Sequence, residues 1–264
     1  MLKIYPVPAL DSNYFWLLQP DSAKPAAYII DPGAADPVIS ELDSHQLVLA
    51  GIIITHHHAD HIGGVKALVE RYRVPVYGPR SVRIPQVDHY VKEGVTLSLD
   101  GVDLEVLEVP GHTQEHLAYL YRPASAQHAS APLLFCGDTL FSAGCGRLLD
   151  GTAAQLYSSL QRLAQLPQDT MIYCAHEYTL ANLHFARTVE PDNTAIGERL
   201  ADVEDLRRRN QITVPTHLGL ELHTNPFLRP HIPAVKRAAE TYSGRTLKTP
   251  LEVFTALRQW KDNF

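Results

Sequence analysis

The chain has 264 residues, 45% of them apolar and 20% charged, and carries a formal net charge of −6. This balance describes a globular protein with a sizeable core, in one large domain or two smaller ones, and the acidic charge argues against general nucleic-acid binding. Three cysteines are too few for a disulfide framework, and there is neither an export leader nor a membrane-length apolar run, so a cytoplasmic protein is expected.

Strand-like apolar runs are read at residues 14–18, 27–31, 49–55, 95–99, 102–109, 116–121 and 132–136, with helical patterns at 65–73 and 153–166. Thr152 caps the second of these helices. After residue 176 helices take over, at 180–189, 195–209, 234–242 and 250–261. The last opens on a capping box, Thr249 with Glu252, and has Pro250 at its first helical position. Spacing alone predicts an α/β part followed by helices.

The most informative segment is Thr55-His56-His57-His58-Ala59-Asp60-His61, between the apolar run Gly51-Ile52-Ile53-Ile54 and the turn Gly63-Gly64. Imidazoles and a carboxylate at the mouth of a strand suit a borderline-soft divalent metal such as zinc, and also iron or manganese. One tetrahedral ion cannot take all four donors from so short a loop. Alternation assigns His56 and His58 to one ion and Asp60 and His61 to a second, with His57 pointing away. His112, Asp138 and His176 each stand just past an apolar strand, where the loops of layered α/β folds gather functional groups. Cys136 and Cys174, two residues before two of these, read as buried packing.

These motifs, with P-G-H-T (Pro110 to Thr113), G-D-T-L-F (Gly137 to Phe141) and C-A-H-E-Y-T (Cys174 to Thr179), resemble the metallo-β-lactamase superfamily. F-S-A-G-C-G-R (Phe141 to Arg147), H-E-Y-T-L-A-N (His176 to Asn182) and F-A-R-T-V-E-P (Phe185 to Pro191) narrow the resemblance to the glyoxalase II branch, and it runs nearly end to end. It implies a four-layer αββα sandwich followed by a small helical domain, with a metal-binding catalytic domain at residues 1–173 and a glutathione-binding helical domain at 174–264. It further implies two divalent ions, zinc foremost. His56, His58 and His112 would hold one, and Asp60, His61 and His176 the other. Asp138 would bridge them, so Asp60 and Asp138 become the catalytic carboxylates.

The implied reaction is hydrolysis of S-D-lactoylglutathione to glutathione and D-lactate, the second step of methylglyoxal detoxification, by a metal-bridging hydroxide. On the substrate side the resemblance assigns Arg147, Tyr178, Arg258 and Lys261. Leu149 stands at a substrate-side position where some relatives carry an aromatic ring, and Glu115 occupies a usual glycine position after His112. His116 reads as supporting rather than ligating. The partner expected is a small-molecule thioester, with no nucleic acid or membrane, acting on a monomer. The competing activity is a glutathione persulfide dioxygenase, which shares H-x-H-x-D-H but uses one iron and lacks the helical tail.

Overall fold

A computed structural model describes residues 1–123 and 131–264. It divides into two compact units, Met1–Glu108 with Glu115–Gly137, and Val109–Gln114 with Asp138–Phe264. Among the described residues no helix is long and apolar enough to cross a membrane.

The first unit opens with β1 (Lys3–Ala9), β2 (Asn13–Gln19) and β3 (Ala26–Ile30), followed by α1 (Ala35–Ser44) and β4 (Val48–Ile53). After α2 (Ala59–Ile62) and α3 (Val65–Tyr72) come β5 (Val76–Gly78) and β6 (His89–Tyr90). These strands form one sheet in the order β1-β2-β3-β4-β5-β6, antiparallel as far as β3 and parallel from β3 onward. Parallel neighbours need a crossover, and α1 and α3 supply it. Their apolar faces, Val38 and Leu42 with Val65 and Leu68, pack with Phe15, Leu17, Ile29 and Ile52 of the sheet. β1 carries Pro6 and Pro8, which an edge strand tolerates because half its backbone donors face away from the sheet.

The same unit holds β7 (Thr96–Leu99), β8 (Val102–Glu108), β9 (Leu117–Tyr121) and β10 (Leu133–Gly137), antiparallel neighbours in the order β10-β9-β8-β7. Every residue of β2 is buried, so both of its faces are covered. The two strand groups are fastened where β4 ends. The buried Tyr119 hydroxyl donates to the Ile54 carbonyl at 2.6 Å, and Leu117 N donates to the Thr55 carbonyl at 2.9 Å. Burial, with a lesser contribution from Asp31, pushes the Tyr119 phenol well above its usual range, so it remains a donor.

The second unit contains β11 (Leu140–Phe141), β12 (Gly144–Cys145), α4 (Ala153–Leu163) and β13 (Met171–Cys174). The helical part follows as α5 (Thr179–Val189), α6 (Thr194–Arg208), β14 (Thr216–His217), α7 (Leu218–Thr224), a 3-10 turn at Pro226–Leu228, α8 (Pro233–Ser243) and α9 (Pro250–Asp262). Capping boxes form at Thr152 with Gln155 and at Thr249 with Glu252, so both expected caps are present. The β11–β12 hairpin is gripped by the helices. Asn182 Nδ2 donates to the Ser142 carbonyl at 3.0 Å, Asn225 Nδ2 to the Gly144 carbonyl at 2.9 Å, and Ala143 N to Glu221 Oε2 at 2.7 Å. Glu221 also pairs with the buried Arg199, which reaches Ser142 Oγ at 2.8 Å. Removing one member of such a buried pair costs about 3–5 kcal/mol because it strands the other charge.

Tyr119→Phe removes the hydroxyl that donates to the Ile54 carbonyl while keeping the ring. We expect a loss of about 1–3 kcal/mol, read from the urea unfolding midpoint. An unchanged midpoint would mean the hydroxyl does not fasten this corner.

Candidate metal centre

Ile52, Ile53 and Ile54 are fully buried, and the chain leaves the sheet directly into His56. Asp31, only 2% exposed, organises this corner. Its Oδ1 accepts from Thr55 N at 2.7 Å, and its Oδ2 accepts from Thr55 Oγ1 at 2.6 Å and lies 3.0 Å from His61 Nδ1. An ionised carboxylate only accepts, so the Thr55 hydroxyl spends its proton on Asp31 and must accept from His56 Nδ1, 2.9 Å away. His56 and His61 therefore both carry their proton on Nδ1 and keep a lone pair on Nε2. This is the carboxylate-supported tautomer that metal-ligating histidines use.

The remaining donors of this unit fall into two pairs. His56 Nε2 lies 3.0 Å from His58 Nδ1, and His61 Nε2 lies 3.4 Å from Asp60 Oδ2. With metal–ligand distances of about 2.0–2.2 Å, one ion can span either gap. Asn13 Nδ2 donates to Asp60 Oδ2 at 3.1 Å and steadies that carboxylate. His116, fully buried, stacks on His56 with ring centroids 4.6 Å apart. His57 turns to Glu115 and Arg83 instead.

In the second unit Gly111 makes the turn that delivers His112. Its φ is +143°, and a Cβ there would lie 2.4 Å from the Leu156 Cα, so only glycine fits. His112 Nδ1 donates to the Arg147 carbonyl at 2.8 Å, which again leaves Nε2 as the outward donor atom. That Nε2 lies 3.4 Å from Asp138 Oδ2, while His176 Nε2 lies 3.4 Å from Asp138 Oδ1. One carboxylate thus offers each of its oxygens beside a different imidazole, the arrangement a bridging ligand requires. Tyr178 stacks on His176 at 4.7 Å, and Phe141 meets both rings edge-on. All three cysteines are buried and outside any disulfide, and burial pushes the Cys174 thiol up to about 12.

The residues expected on the substrate side differ from one another. Arg147 and Leu149 are exposed, and Tyr178 is 40% exposed. Arg258, which the resemblance assigns to the substrate side, is buried at 4% exposure. Its Nη1 donates to the Cys145 carbonyl at 2.9 Å, its Nη2 pairs with Asp262 Oδ1 at 3.0 Å, and it lies over the Phe227 ring. Asp262 Oδ1 also lies 3.6 Å from Arg147 Nε. Lys261 Nζ donates to the Ala181 carbonyl at 3.2 Å. Burial first, then the charges of Arg258 and Arg147, lower the Lys261 pKa, so three cations share one neighbourhood.

Sequence reasoning passed over Asp31, Asn13 and Asp262. Asp31 had a readable signal. It ends an apolar strand just as Asp138 does, and Asp31-Pro32-Gly33 resembles an ordinary turn only until Gly33 is seen to pack against the Asp60 backbone, where a Cβ would lie 1.9 Å from the Asp60 carbonyl oxygen.

Comparison with known proteins agrees along the whole chain. The metallo-beta-lactamase superfamily matches residues 11–176, and the hydroxyacylglutathione hydrolase C-terminus matches residues 177–264. A hydroxyacylglutathione hydrolase of Pseudomonas aeruginosa (strain LESB58) is 49% identical over 265 residues, covering 100% of both chains. Among solved structures, ETHE1 from Myxococcus xanthus is similar with a TM-score of 0.66 at 25% identity, over 98% of this chain and 91% of that one. TTHA1623 in a di-iron-bound form gives 0.58 at 26% identity, over 85% and 100%. The chain belongs to the hydroxyacylglutathione hydrolases, thioester hydrolases with the metallo-β-lactamase fold and a helical C-terminal domain.

Proposed function

We propose that the chain hydrolyses 2-hydroxyacyl-glutathione thioesters, S-D-lactoylglutathione foremost, to glutathione and the 2-hydroxy acid, as in methylglyoxal detoxification. The observation that carries the reading is Asp138, whose two oxygens each lie 3.4 Å from a different imidazole nitrogen. A carboxylate so placed suits a centre of two ions, and the substrate follows from the family. The proposed ligands are His56, His58 and His112 for one ion, Asp60, His61 and His176 for the other, and Asp138 between them. Residues 1–173 would form the catalytic domain and 174–264 the glutathione-binding one.

Two divalent cations in such a site supply an acidified water near neutral pH and polarise the thioester carbonyl. The chain's own groups do the rest. Asp31 and Thr55 would hold two imidazoles in the ligating tautomer, and Asp60, steadied by Asn13, would accept a hydrogen bond from the attacking water. The leaving thiolate has a pKa of about 8.5 and departs without a general acid. Arg147 and Lys261 would meet a glutathione carboxylate, with Arg258 beneath them holding the Cys145 backbone, and Tyr178 and Leu149 would line the same side. The nitrogen and oxygen donors suit zinc. Iron is the nearest rival, since a similar fold was solved in a di-iron-bound form. A reducing cytoplasm fits three buried cysteines outside any disulfide, and a monomer is the state we expect there.

Free-thiol release from S-D-lactoylglutathione tests the reading. Activity is expected to vanish on chelation and return with added zinc, at two ions per chain by elemental analysis. No turnover from a sample holding two ions would sink it and turn attention to oxygen uptake with glutathione persulfide. Asp31→Asn should lower metal affinity by about 10–100-fold, measured by competition with a chelator, because it weakens the support of two imidazoles. Lys261→Ala should raise KM about fivefold with kcat nearly unchanged, the signature of lost ground-state binding worth about 1 kcal/mol.

A further inference from the structure

His57 and Glu115 have no role in the reaction described above, yet their side chains are only 10% and 18% exposed. Arg83 Nη1 lies 2.7 Å from His57 Nε2, and Glu115 Oε1 meets His57 Nδ1 on the opposite side of the ring. The protons can be assigned. A guanidinium has no acceptor and does not deprotonate in proteins, so Arg83 donates and His57 Nε2 must hold a lone pair. Nδ1 then carries the ring proton and donates it to Glu115. The imidazole is clamped at both nitrogens, between a cation and a carboxylate. Glu115 lies outside the left-handed region of the backbone, so a side chain here costs no strain, although glycine is usual at this place in the family pattern.

From this geometry we infer that Glu115 is a positioning residue for the metal loop, acting through His57. His57 stands between His56 and His58, whose nitrogens must converge on one ion under the ligand assignment proposed above, on which this inference rests. Alternation sends its ring to the opposite side of the loop. Fixing that ring fixes the backbone on which both ligands ride, so the loop is ordered when the protein folds rather than when the metal binds. Glu115 also offsets the Arg83 charge, which would otherwise oppose the approach of a cation. The consequence is slower metal loss, with no contact to substrate.

The test compares Glu115→Ala and Glu115→Gln in the zinc-loaded protein. Glu115→Ala should lose zinc to excess chelator about tenfold faster than wild type, as expected when an outer support of a ligand set is removed. Glu115→Gln keeps an acceptor oxygen for His57 Nδ1 and should restore most of the retention. The 15N resonances of His57, read with or without metal, should report the Nδ1–H tautomer in wild type and Glu115→Gln, and a mixture in Glu115→Ala. Equal zinc loss from wild type and Glu115→Ala, or an unchanged His57 spectrum, overturns the clamp and leaves the metal assignment standing. Wild-type protein that takes up no divalent metal overturns both.

Discussion

Everything at the end of β4 depends on one buried carboxylate. Asp31 accepts hydrogen bonds from a backbone amide, a hydroxyl and an imidazole, and through the hydroxyl it reaches a second imidazole. Burying a carboxylate among neutral groups is costly unless every lone pair is engaged, and here the donors are engaged with it. The return is directional. With Nδ1 of His56 and of His61 committed inward, both rings present Nε2 outward with no tautomeric choice left to make. A hydrogen-bonding replacement without charge, such as asparagine, could satisfy one donor only by presenting its own amide protons to another.

The second unit reaches the same result by different means. His112 takes its tautomer from a backbone carbonyl, that of Arg147, so the ring is set by the loop that follows the β11–β12 hairpin. That hairpin is held by Asn182 of α5, by Glu221 of α7 and Asn225 just after it, and by Arg258 of α9 at its end. The helical part therefore sets the path of the chain from Asp138 to Arg147, and a weak grip there would loosen both residues together.

Much of this was legible because it is local. His112, Asp138 and His176 follow β8, β10 and β13, and a polar residue ending an apolar run needs no tertiary knowledge to be noticed. The same holds for the capping box of α9. What stayed hidden depends on long-range packing. β1 carries two prolines and looks like coil until its edge position is known, and α1 begins at Ala35-Asp36-Pro37 with no side-chain cap to announce it. β5 has three residues and draws its identity from β4. Arg258 stands about one turn before the end of α9, and its burial follows from Phe227 and the Cys145 carbonyl, both distant in sequence.

Charge shows why a global balance misleads about a local site. The chain carries −6, which at long range repels an anionic thioester. At physiological ionic strength that field is screened over about 8 Å, so what a bound carboxylate feels is its immediate neighbours. Around Lys261 those are Arg147, Arg258 and the Asp262 carboxylate, and burial first, then the two arginine charges, lower its pKa. Under the proposed function, a substrate carboxylate beside Lys261 would add a counter-charge that favours the ammonium form. A net acidic chain and a local cluster of cations are therefore compatible, because screening separates the long-range field from the contacts at one site.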